Sequence, residues 1–395
     1  MTHMNPVFIP GPTNMPEALR RACDMPTMDH RSAAFADILH PALNGVKQVL
    51  RTTEAEVFVF PATGTAGWEA AITNTLSPGD TVLACENGMF SRKWIDMCQR
   101  HGLNVHIVKA TWGEGLPVAQ FAEVLAADVT HRIKAVLATH NETATGVVSD
   151  IAGVRAALNA AKHPALFFVD GVSSIGSMPF EFDAWGVDIA VTGSQKGFML
   201  PAGLAIIGVS PKAMATIDTA RLQRTFLDIR DMASGYAASA YPYTPSVGLL
   251  NGLKQACDML LDEGLDNVFA RHARIADGVR AAVAAWNMPL CAAGPELYSN
   301  TVSAIRTPDG FDAGRICAHA QDRYGVAFGA GLGDVAGKVF RIGHLGLLTD
   351  VMALSGIATA EMVMADLGLD ITLGSGVAAA QGLYRDATPL AMAAE

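Results

Sequence analysis

The fold is decided by one stretch of the sequence, Val187-Asp188-Ile189-Ala190-Val191-Thr192-Gly193-Ser194-Gln195-Lys196-Gly197. Its first part is a short apolar run, and a second such run, residues 165–169, ends at Asp170. Runs of this kind are typical of strands that are buried on both faces of a parallel sheet. Ligands of such sheets bind beyond the carboxyl ends of the strands, which is where Asp170 and Lys196 fall.

A carboxylate and an amine at one edge of a sheet are the two protein groups that pyridoxal phosphate chemistry requires. The lysine forms a Schiff base, and the acid keeps the pyridine nitrogen protonated so that the ring can accept electrons. Each residue also has a structural interpretation, because Asp often ends a strand as a turn residue and Lys is usually solvated. The functional interpretation is favoured because Lys196 follows a buried strand within a turn of small residues.

The composition indicates a globular enzyme with a large core. The chain has 395 residues, of which 50% are hydrophobic and 17% charged, enough for two domains. The 28 basic and 38 acidic residues give a net charge of −10, and no basic cluster is longer than a pair. This balance argues against a nucleic-acid partner, while a single basic pocket can still bind a small anionic substrate.

The cysteines and the N-terminal sequence indicate in which cellular compartment the protein is expected. The six cysteines are scattered without a C-x-x-C pair, so we expect neither a disulfide framework nor a metal site. A reducing, cytoplasmic setting is the natural expectation for such a chain. The sequence shows no secretory signal pattern and no apolar run of about 18 residues, so we expect neither secretion nor a membrane span.

Strands and helices alternate along most of the chain. Apolar runs predict strands that are separated by helical patterns, among them residues 56–60, 81–85, 104–108 and 134–139. This alternation predicts an α/β fold in which helices flank a mostly parallel sheet. Shorter strands mixed with helices follow in the C-terminal part, which predicts a smaller α/β domain there.

The domain boundaries are predicted from changes in the character of the sequence. Pro10-Gly11-Pro12-Thr13-Asn14 suits neither a helix nor a central strand, so residues 1–20 are expected to form an irregular segment. Residues 21–263 then make the large domain and residues 264–395 the small one, because Gly264 separates two long helical runs.

Three later segments carry predictions of local structure. Residues 236–245 are rich in Tyr, Pro, Ser and Ala, which predicts a loop, and residues 312–323 have a helical pattern. The Ala-rich end from residue 377 predicts a loosely held terminus.

The turn Thr63-Gly64-Thr65-Ala66-Gly67 joins a predicted strand to a predicted helix. Its glycines and the helix N-terminus could bind a phosphate, or the turn could simply need flexibility, and the sequence leaves both open. With Glu86 it also partly imitates a dinucleotide fingerprint. The first glycine of that fingerprint is replaced by Ala62, so a nicotinamide-dependent oxidoreductase is only a remote alternative.

Other candidate residues also lie close to strands. Phe90 opens a helix and could stack on a planar ring or belong to the core. The polar run Thr139–Gly146 is longer than a turn requires and favours a site. Arg341 lies inside an apolar strand, where it needs either a substrate carboxylate or a structural ion pair. Tyr241-Pro242-Tyr243-Thr244-Pro245 offers hydroxyl groups on a rigid loop.

Taken together, these residues resemble the class V, fold-type I pyridoxal-phosphate aminotransferases, specifically the serine–glyoxylate and alanine–glyoxylate group. The resemblance covers nearly the whole chain and includes the Pro-Gly-Pro-Thr-Asn stretch, the Gly64 turn, His140-Asn141-Glu142-Thr143, Asp170-Gly171-Val172, Gly193-Ser194-Gln195-Lys196 and Arg341-Ile342-Gly343. It implies a cofactor, pyridoxal 5'-phosphate, and the transamination of glyoxylate to glycine. Within the group the sequence is most similar to bacterial enzymes that use aspartate or serine as the amino donor.

The resemblance also implies roles for individual residues. Lys196 would hold the cofactor and move the proton between the substrate Cα and the cofactor, and Asp170 would pair with the pyridine nitrogen. Arg341 would bind the substrate α-carboxylate. The other cofactor contacts would be Gly64, Thr65 and Gln195 at the phosphate, Thr143 near the phenolic oxygen, Val172 and Phe90 on the ring faces, and Tyr241 and Thr244 from a neighbouring subunit. Active sites shared in this way would make the protein a homodimer, or a tetramer built from two such dimers.

Several alternatives stay open at this point. The donor could be aspartate, serine or alanine, and aspartate would need a second cation. The candidates for that cation are His30, Arg31, Arg92 and Lys93. A pyridoxal-phosphate lyase or cysteine desulfurase needs a reactive cysteine on a mobile loop, whereas Cys317 lies in a helical pattern. A non-catalytic binding or structural role is the remaining class.

Overall fold

The structure is a computed structural model that describes residues 5–386. Its helices are α1 (Glu17–Cys23), α2 (Ala36–Leu50), α3 (Gly64–Thr75), α4 (Met89–Arg100), α5 (Val118–Ala127), α6 (Ile151–Ala160), α7 (Pro211–Met214), α8 (Ile229–Ala237), α9 (Val247–Glu263), α10 (Leu265–Ala285), α11 (Gly314–His319), α12 (Asp350–Asp366) and α13 (Ser375–Asp386). Its strands are β1 (Glu56–Phe60), β2 (Thr81–Glu86), β3 (Asn104–Lys109), β4 (Ile133–Thr139), β5 (Asn141–Glu142), β6 (Val147–Val148), β7 (Leu166–Asp170), β8 (Ile189–Gly193), β9 (Ala205–Val209), β10 (Val302–Arg306), β11 (Gly329–Ala330) and β12 (Val339–Gly343).

The centre of the molecule is a seven-stranded sheet with the order β1-β9-β8-β7-β4-β2-β3. Neighbouring strands from β8 to β3 are parallel, and β9 runs antiparallel to both β8 and β1. The predicted α/β fold with a mostly parallel sheet is therefore confirmed. Strands β7, β8 and β9 are buried along their whole length, which explains why they read as continuous apolar runs.

The register of the central strands brings their carboxyl ends level. Thr139 of β4 lies opposite Asp170 of β7, and Asp170 lies opposite Val191 of β8. Residues that follow these three strands therefore meet at one edge of the sheet. This alignment positions the candidate site.

A second, three-stranded antiparallel sheet has the order β10-β12-β11 and packs with α10–α13 in a separate apolar cluster. Val268 and Phe269 of α10 belong to the core of the large sheet, whereas Ile275 and Val279 of the same helix belong to the second cluster. The two cores thus divide within α10, just after Gly264. The domain limits of 21–263 and 264–395 stay a prediction.

The described part of the N-terminal segment lies against the second cluster. Phe8 is buried there, and its N–H donates to the Ala327 carbonyl at 2.9 Å. The Asn14 side chain forms two hydrogen bonds with the backbone of Val7, each of 2.9 Å, and so closes the Pro10–Pro12 stretch into a loop. Helix α1 begins at Glu17, so the segment predicted as irregular ends a few residues earlier than expected.

Three predictions of local structure need correction. Helix α8 extends to Ala237, so the predicted loop at 236–245 starts two residues later. The predicted helix at 312–323 is α11 followed by a π-helical turn over Ala320–Tyr324, which ends at Gly325 with φ +64°. The end from residue 377 is not loose up to residue 386, because it forms α13. The rest of that stretch, residues 387–395, lies outside the described residues.

Helix α13 is held because its small residues allow a close approach to α10. Ala380 is fully buried, and Tyr384 is 6% exposed with its hydroxyl donating to the Ile275 carbonyl at 3.0 Å. The Tyr384 ring lies so close to Gly278 that a Cβ there would overlap it. Sequence composition does not show this contact, because it depends on a glycine a hundred residues away. Within residues 5–386, no helix combines the length and hydrophobicity that a membrane crossing requires.

We expect Tyr384→Ala to lower the free energy of unfolding by about 3 kcal/mol, because it removes a buried aromatic ring and leaves a cavity. The matched control is Leu373→Ala, since Leu373 is 61% exposed and its removal should change stability little. Thermal unfolding of the two variants measures the difference. Equal midpoints would contradict the docking of α13.

Candidate active site

The candidate site is centred on two oppositely charged residues at the carboxyl ends of β7 and β8. Asp170 is 4% exposed and its Oδ1 accepts from the Val172 N–H at 2.9 Å. Lys196 is 9% exposed and lies in the turn that follows β8. Each charge shifts the pKa of the other, so the two residues share one buried environment.

Burial is the main cause of the shifted pKa values of this pair. It raises the pKa of Asp170 to about 7, helped by the negative charge of Glu142 and opposed by the Val172 N–H and by Lys196. It lowers the pKa of Lys196 to about 8, helped by the positive charge of Arg341 and opposed by Asp170. Near neutral pH, more of Lys196 is therefore the neutral amine than for an exposed lysine, and this is the form that can act as a nucleophile or base.

The N-terminal segment holds the Lys196 side chain in place. Lys196 Nζ donates to the Pro10 carbonyl, and the Thr13 hydroxyl donates to the Lys196 carbonyl at 3.4 Å. Gly11 has φ +104°, and a Cβ at this position would lie 2.5 Å from Lys196 Cδ. Glycine is therefore required both for the turn and for the close approach. Sequence reasoning identified the Pro-Gly-Pro stretch as irregular but did not find its contact with the lysine.

The start of α3 lies close to the end of β8, since a Cβ on Gly193 would lie 3.4 Å from the Gly64 nitrogen. Thr63 does not cap this helix with its side chain, and its carbonyl accepts from the Ala66 and Gly67 N–H groups at 2.8 and 3.2 Å. A Cβ on Gly64 would lie 2.7 Å from Val172 Cγ2, and a Cβ on Gly193 would lie 2.8 Å from Gln195 Oε1. The buried Gln195 Oε1 has no hydrogen-bond partner. A helix N-terminus that is reached through glycine backbone fits a phosphate group. Thr65 is exposed at the same turn.

The polar run after β4 folds into a hairpin of β5 and β6, which the sequence did not predict. The Thr143 hydroxyl donates to Ser173 Oγ at 2.7 Å, and Asn141 Nδ2 donates to Thr301 Oγ1 at 2.9 Å. Asn141 Oδ1 is buried and has no partner. Asn141, which the sequence prediction had not assigned to the site, thus offers a buried polar atom beside Thr143.

Arg341 of β12 brings a positive charge from the second sheet to the same region. It is 7% exposed, and its guanidinium donates to the Ala330 carbonyl and to the Thr143 carbonyl, both at 3.0 Å. Burial lowers its pKa to about 10, against the favourable charge of Glu142. Among residues 5–386 it forms no direct ion pair, although the charge of Glu142 acts on it, and its role toward a carboxylate ligand stays a prediction. Its charge is available to a carboxylate ligand.

Phe90 lies at the second position of α4 and is partly exposed, with its ring edge-on to Trp68 at 6.5 Å between centroids. Both main-chain N–H groups at this point bond to Glu142 Oε2, Phe90 at 3.0 Å and Ser91 at 3.1 Å. The ring is therefore held at the edge of the core with one side open. This position suits stacking on a bound planar group.

Two predicted residues lie on the loop after α8, away from these contacts. The Tyr241 ring packs against Phe35 and Tyr236, and Thr244 is exposed. Within the described part of one chain, neither residue contacts the start of α3. Their predicted role needs a second subunit, and it stays a prediction.

The candidate cations for a second carboxylate differ in availability. Arg92 is already bound to Glu86 at 2.9 Å and to Asp334 at 2.7 Å, and it lies over the Trp112 ring. Lys93 Nζ lies 5.7 Å from the centroid of the Phe90 ring. His30 Nε2 is buried without a partner, and Arg31 is exposed.

The Cys317 thiol is a poor candidate nucleophile. It lies in α11, and burial raises its pKa to about 11. A desulfurase would need a thiolate on a mobile loop. No group of three His, Cys, Asp or Glu side chains in the described part of the chain is arranged to hold a metal ion.

The parallel sheet, the buried lysine and acid at its carboxyl edge, and the helix N-terminus at the end of β8 define a fold-type I enzyme that uses pyridoxal 5'-phosphate. Residues 20–332 match the model of the family "Aminotransferase class-V", and the chain belongs to this family. The nicotinamide-dependent alternative is therefore wrong. The enzyme is an aminotransferase that acts on small amino acids and 2-oxo acids.

Similar proteins match over almost the full length. The chain is 72% identical over 391 residues to the L-aspartate–glyoxylate aminotransferase of Paracoccus denitrificans, covering 99% of each chain. It is 51% identical to the serine–glyoxylate aminotransferase of Hyphomicrobium methylovorum, over 100% of this chain and 98% of the other. The crystal structure of pyridoxamine–pyruvate aminotransferase from Mesorhizobium loti superimposes with a TM-score of 0.90 at 30% identity, over 98% of both chains.

We expect Arg341→Leu to raise the pKa of Lys196, because the variant removes a positive charge that disfavours the protonated amine. The pH at which the apoenzyme begins to bind pyridoxal phosphate covalently should then move upward. Stopped-flow absorbance over a range of pH measures this shift. Arg323→Leu removes an exposed charge from the second sheet's helices and serves as the control. A shift to lower pH would contradict the assignment.

Proposed function

We propose that this enzyme transfers the amino group of L-aspartate or L-serine to glyoxylate and so produces glycine. The single observation that carries the proposal is the buried pair of Asp170 and Lys196 at adjacent strand ends, with Arg341 close enough to act on the lysine. The high identity to an aspartate–glyoxylate and a serine–glyoxylate aminotransferase supports glyoxylate as the acceptor.

Each proposed role follows from the chemistry of the side chain in its surroundings. When bound, pyridoxal phosphate accepts electrons from the substrate and carries its amino group from donor to acceptor. Lys196 Nζ is the base that removes the proton from the substrate Cα, since burial and Arg341 favour its neutral form. The Asp170 carboxylate holds the proton on the pyridine nitrogen. Arg341 binds the substrate α-carboxylate through two parallel hydrogen bonds, which orients the Cα–H bond toward the lysine.

Further residues are proposed to hold the cofactor. Gly64, Thr65 and Gln195 would bind its phosphate at the start of α3, where Gly64 and Gly193 keep the backbone free of side chains. Thr143 would lie beside the phenolic oxygen, with Val172 and Phe90 on opposite ring faces. The close approach of Gly64 to Val172 supports this layout, because it leaves no room for a side chain between phosphate and ring sites.

We propose a homodimer in which Tyr241 and Thr244 complete the phosphate site of the neighbouring subunit. Support comes from the exposed position of Thr244. Phe226 is also 43% exposed, and its ring centroid lies 5.3 Å from that of Tyr243 in the same chain. A tetramer built from two such dimers stays a prediction. A cytoplasmic location is proposed because all six cysteines are free, as suits a reducing compartment.

The identity of the amino donor depends on whether the site can bind the second carboxylate of aspartate. Aspartate requires one more cation than serine, and Arg92 could supply it only by giving up Glu86 or Asp334. His30 and Arg31 have no such commitment. We favour aspartate because the relative with 72% identity is named for it, and alanine–glyoxylate transamination is the alternative with no extra polar requirement.

We expect Lys196→Ala to abolish turnover and to remove the cofactor band that borohydride reduces, because both depend on the same amine. Lys212→Ala is the matched control, since Lys212 pairs with Asp188 at 3.1 Å near the opposite strand ends. Absorption spectra and borohydride labelling of the two variants test this expectation. Retention of activity and of the reducible band in Lys196→Ala would refute the role of the lysine.

We expect aspartate and serine to give measurable kcat/KM values with glyoxylate, with aspartate the better donor. The reason is that a bound distal carboxylate adds charge-assisted hydrogen bonds, each worth about 1.5–3 kcal/mol. Steady-state rates with aspartate, serine and alanine, measured with Lys196→Ala as the blank, rank the donors. A zero rate with aspartate would exclude it, and zero rates with all three would refute glyoxylate transamination.

A further inference from the structure

Glu142 is a fully buried acid for which the reaction described above has no use. It lies in β5, directly between Asn141 and Thr143. Its carboxylate accepts three main-chain N–H bonds, from Phe90 at 3.0 Å, Ser91 at 3.1 Å and Ala144 at 3.1 Å. It forms no direct ion pair within the described residues. A buried charge held only by backbone donors is expensive, so a specific purpose is expected for it.

The backbone at the start of α4 is shaped around this carboxylate. A Cβ on Gly88 would overlap Glu142 Cγ and Cδ and would lie 2.6 Å from Oε2. Ser91 Oγ accepts from the Gly88 N–H at 3.0 Å and from the Asn87 N–H at 3.2 Å, which closes the turn on its other side. Because Phe90 is the second residue of α4, the position of its ring depends on the bond between its N–H and Glu142.

Glu142 also acts on the charges of the site. Its negative charge raises the pKa of Asp170 and supports the charged form of Arg341. The groups that face Asp170 are Glu142 from β5, Lys196 from the turn after β8, the Val172 N–H and the Trp68 indole from α3. Among these groups, Glu142 is the only acid.

We propose that Glu142 is a positioning residue, which ties the start of α4 and the Phe90 ring to the strand end that carries Asn141 and Thr143. It touches neither substrate nor cofactor in this role. Its effect reaches the site through Phe90 and through its charge near Asp170. The inference rests on the proposed function, since it takes Phe90 and Asp170 as cofactor contacts.

Glutamate is required because the site presents donors to both carboxylate oxygens. Oε1 accepts from Ala144, and Oε2 accepts from Phe90 and Ser91. In Glu142→Gln one of these oxygens becomes an NH₂ group that faces an N–H donor. The substitution therefore breaks bonds at one side at least and also removes the charge, with almost no change in volume.

The chain offers a closely matched control in Glu361. This residue is 2% exposed and also accepts three N–H bonds. Two come from the backbone at the start of α13, Gly374 at 2.8 Å and Gly376 at 2.6 Å, and the third comes from Trp286 Nε1 at 3.0 Å. It lies in the second cluster, beside α13. Glu361→Gln therefore reports what the loss of a buried capping carboxylate does to stability alone.

The experiment titrates each apoenzyme with pyridoxal 5'-phosphate and follows tryptophan fluorescence from about pH 5 to pH 9. We expect Glu142→Gln to bind roughly tenfold more weakly than wild type at pH 8, because it leaves a donor unpaired and the Phe90 ring displaced. The acidic midpoint of binding should move to lower pH. Loss of the negative charge lowers the pKa of Asp170, so its carboxylate stays ionised further into acid. Glu361→Gln should change neither value.

Phe90→Leu tests whether the effect passes through the ring. In a double-mutant cycle, Glu142→Gln and Phe90→Leu should be less than additive in cofactor affinity, because either one removes the same stacking contact. Gly88→Ala provides a second variant if Glu142→Gln does not fold. It crowds the carboxylate but keeps its charge, so affinity should fall while the acidic midpoint stays.

The outcomes separate this inference from the function on which it rests. If Glu142→Gln behaves like Glu361→Gln in both affinity and midpoint, or if Gly88→Ala binds like wild type, the positioning role is overturned. Full additivity with Phe90→Leu would overturn it as well. Failure of the wild-type apoenzyme to bind pyridoxal phosphate would instead refute the proposed function itself.

Discussion

The structure depends on burying two opposite charges at the carboxyl edge of one sheet. Strands β7 and β8 are parallel neighbours, so the residues that follow them arrive at the same place. Away from water, Asp170 becomes harder to ionise and Lys196 easier to deprotonate. The fold thereby shifts the pKa values of a base and an acid in one site toward neutral pH.

The surrounding elements protect and extend this pair. The N-terminal segment covers Lys196 and at the same time packs Phe8 into the core of the second sheet, so it joins the two parts of the molecule. Arg341 comes from that second sheet and Glu142 from the β5–β6 hairpin. Charges of alternating sign, contributed by separate elements, thus line one recess, and each affects the pKa of its neighbours.

Much of the large domain could be predicted because its information is local. Buried parallel strands are short continuous apolar runs, and the turns that follow them contain glycine and polar residues. Helix α13 could not be predicted in this way, because alanine-rich composition does not reveal the Gly278 surface on which it packs. The β5–β6 hairpin was missed for a different reason, because two-residue strands carry no periodic pattern.

For the candidate site, the sequence by itself determined which residue types follow the strands, and this was enough to select Lys196, Asp170 and Arg341 with the class of chemistry they can perform. Only the tertiary structure decided that Arg341 has no direct ion pair among the described residues, that Arg92 is already bound to two acids, and that Glu142 holds the helix carrying Phe90. The physical reason is that chemical identity is written in the chain. Pairing and burial, in contrast, depend on partners that lie tens to hundreds of residues away.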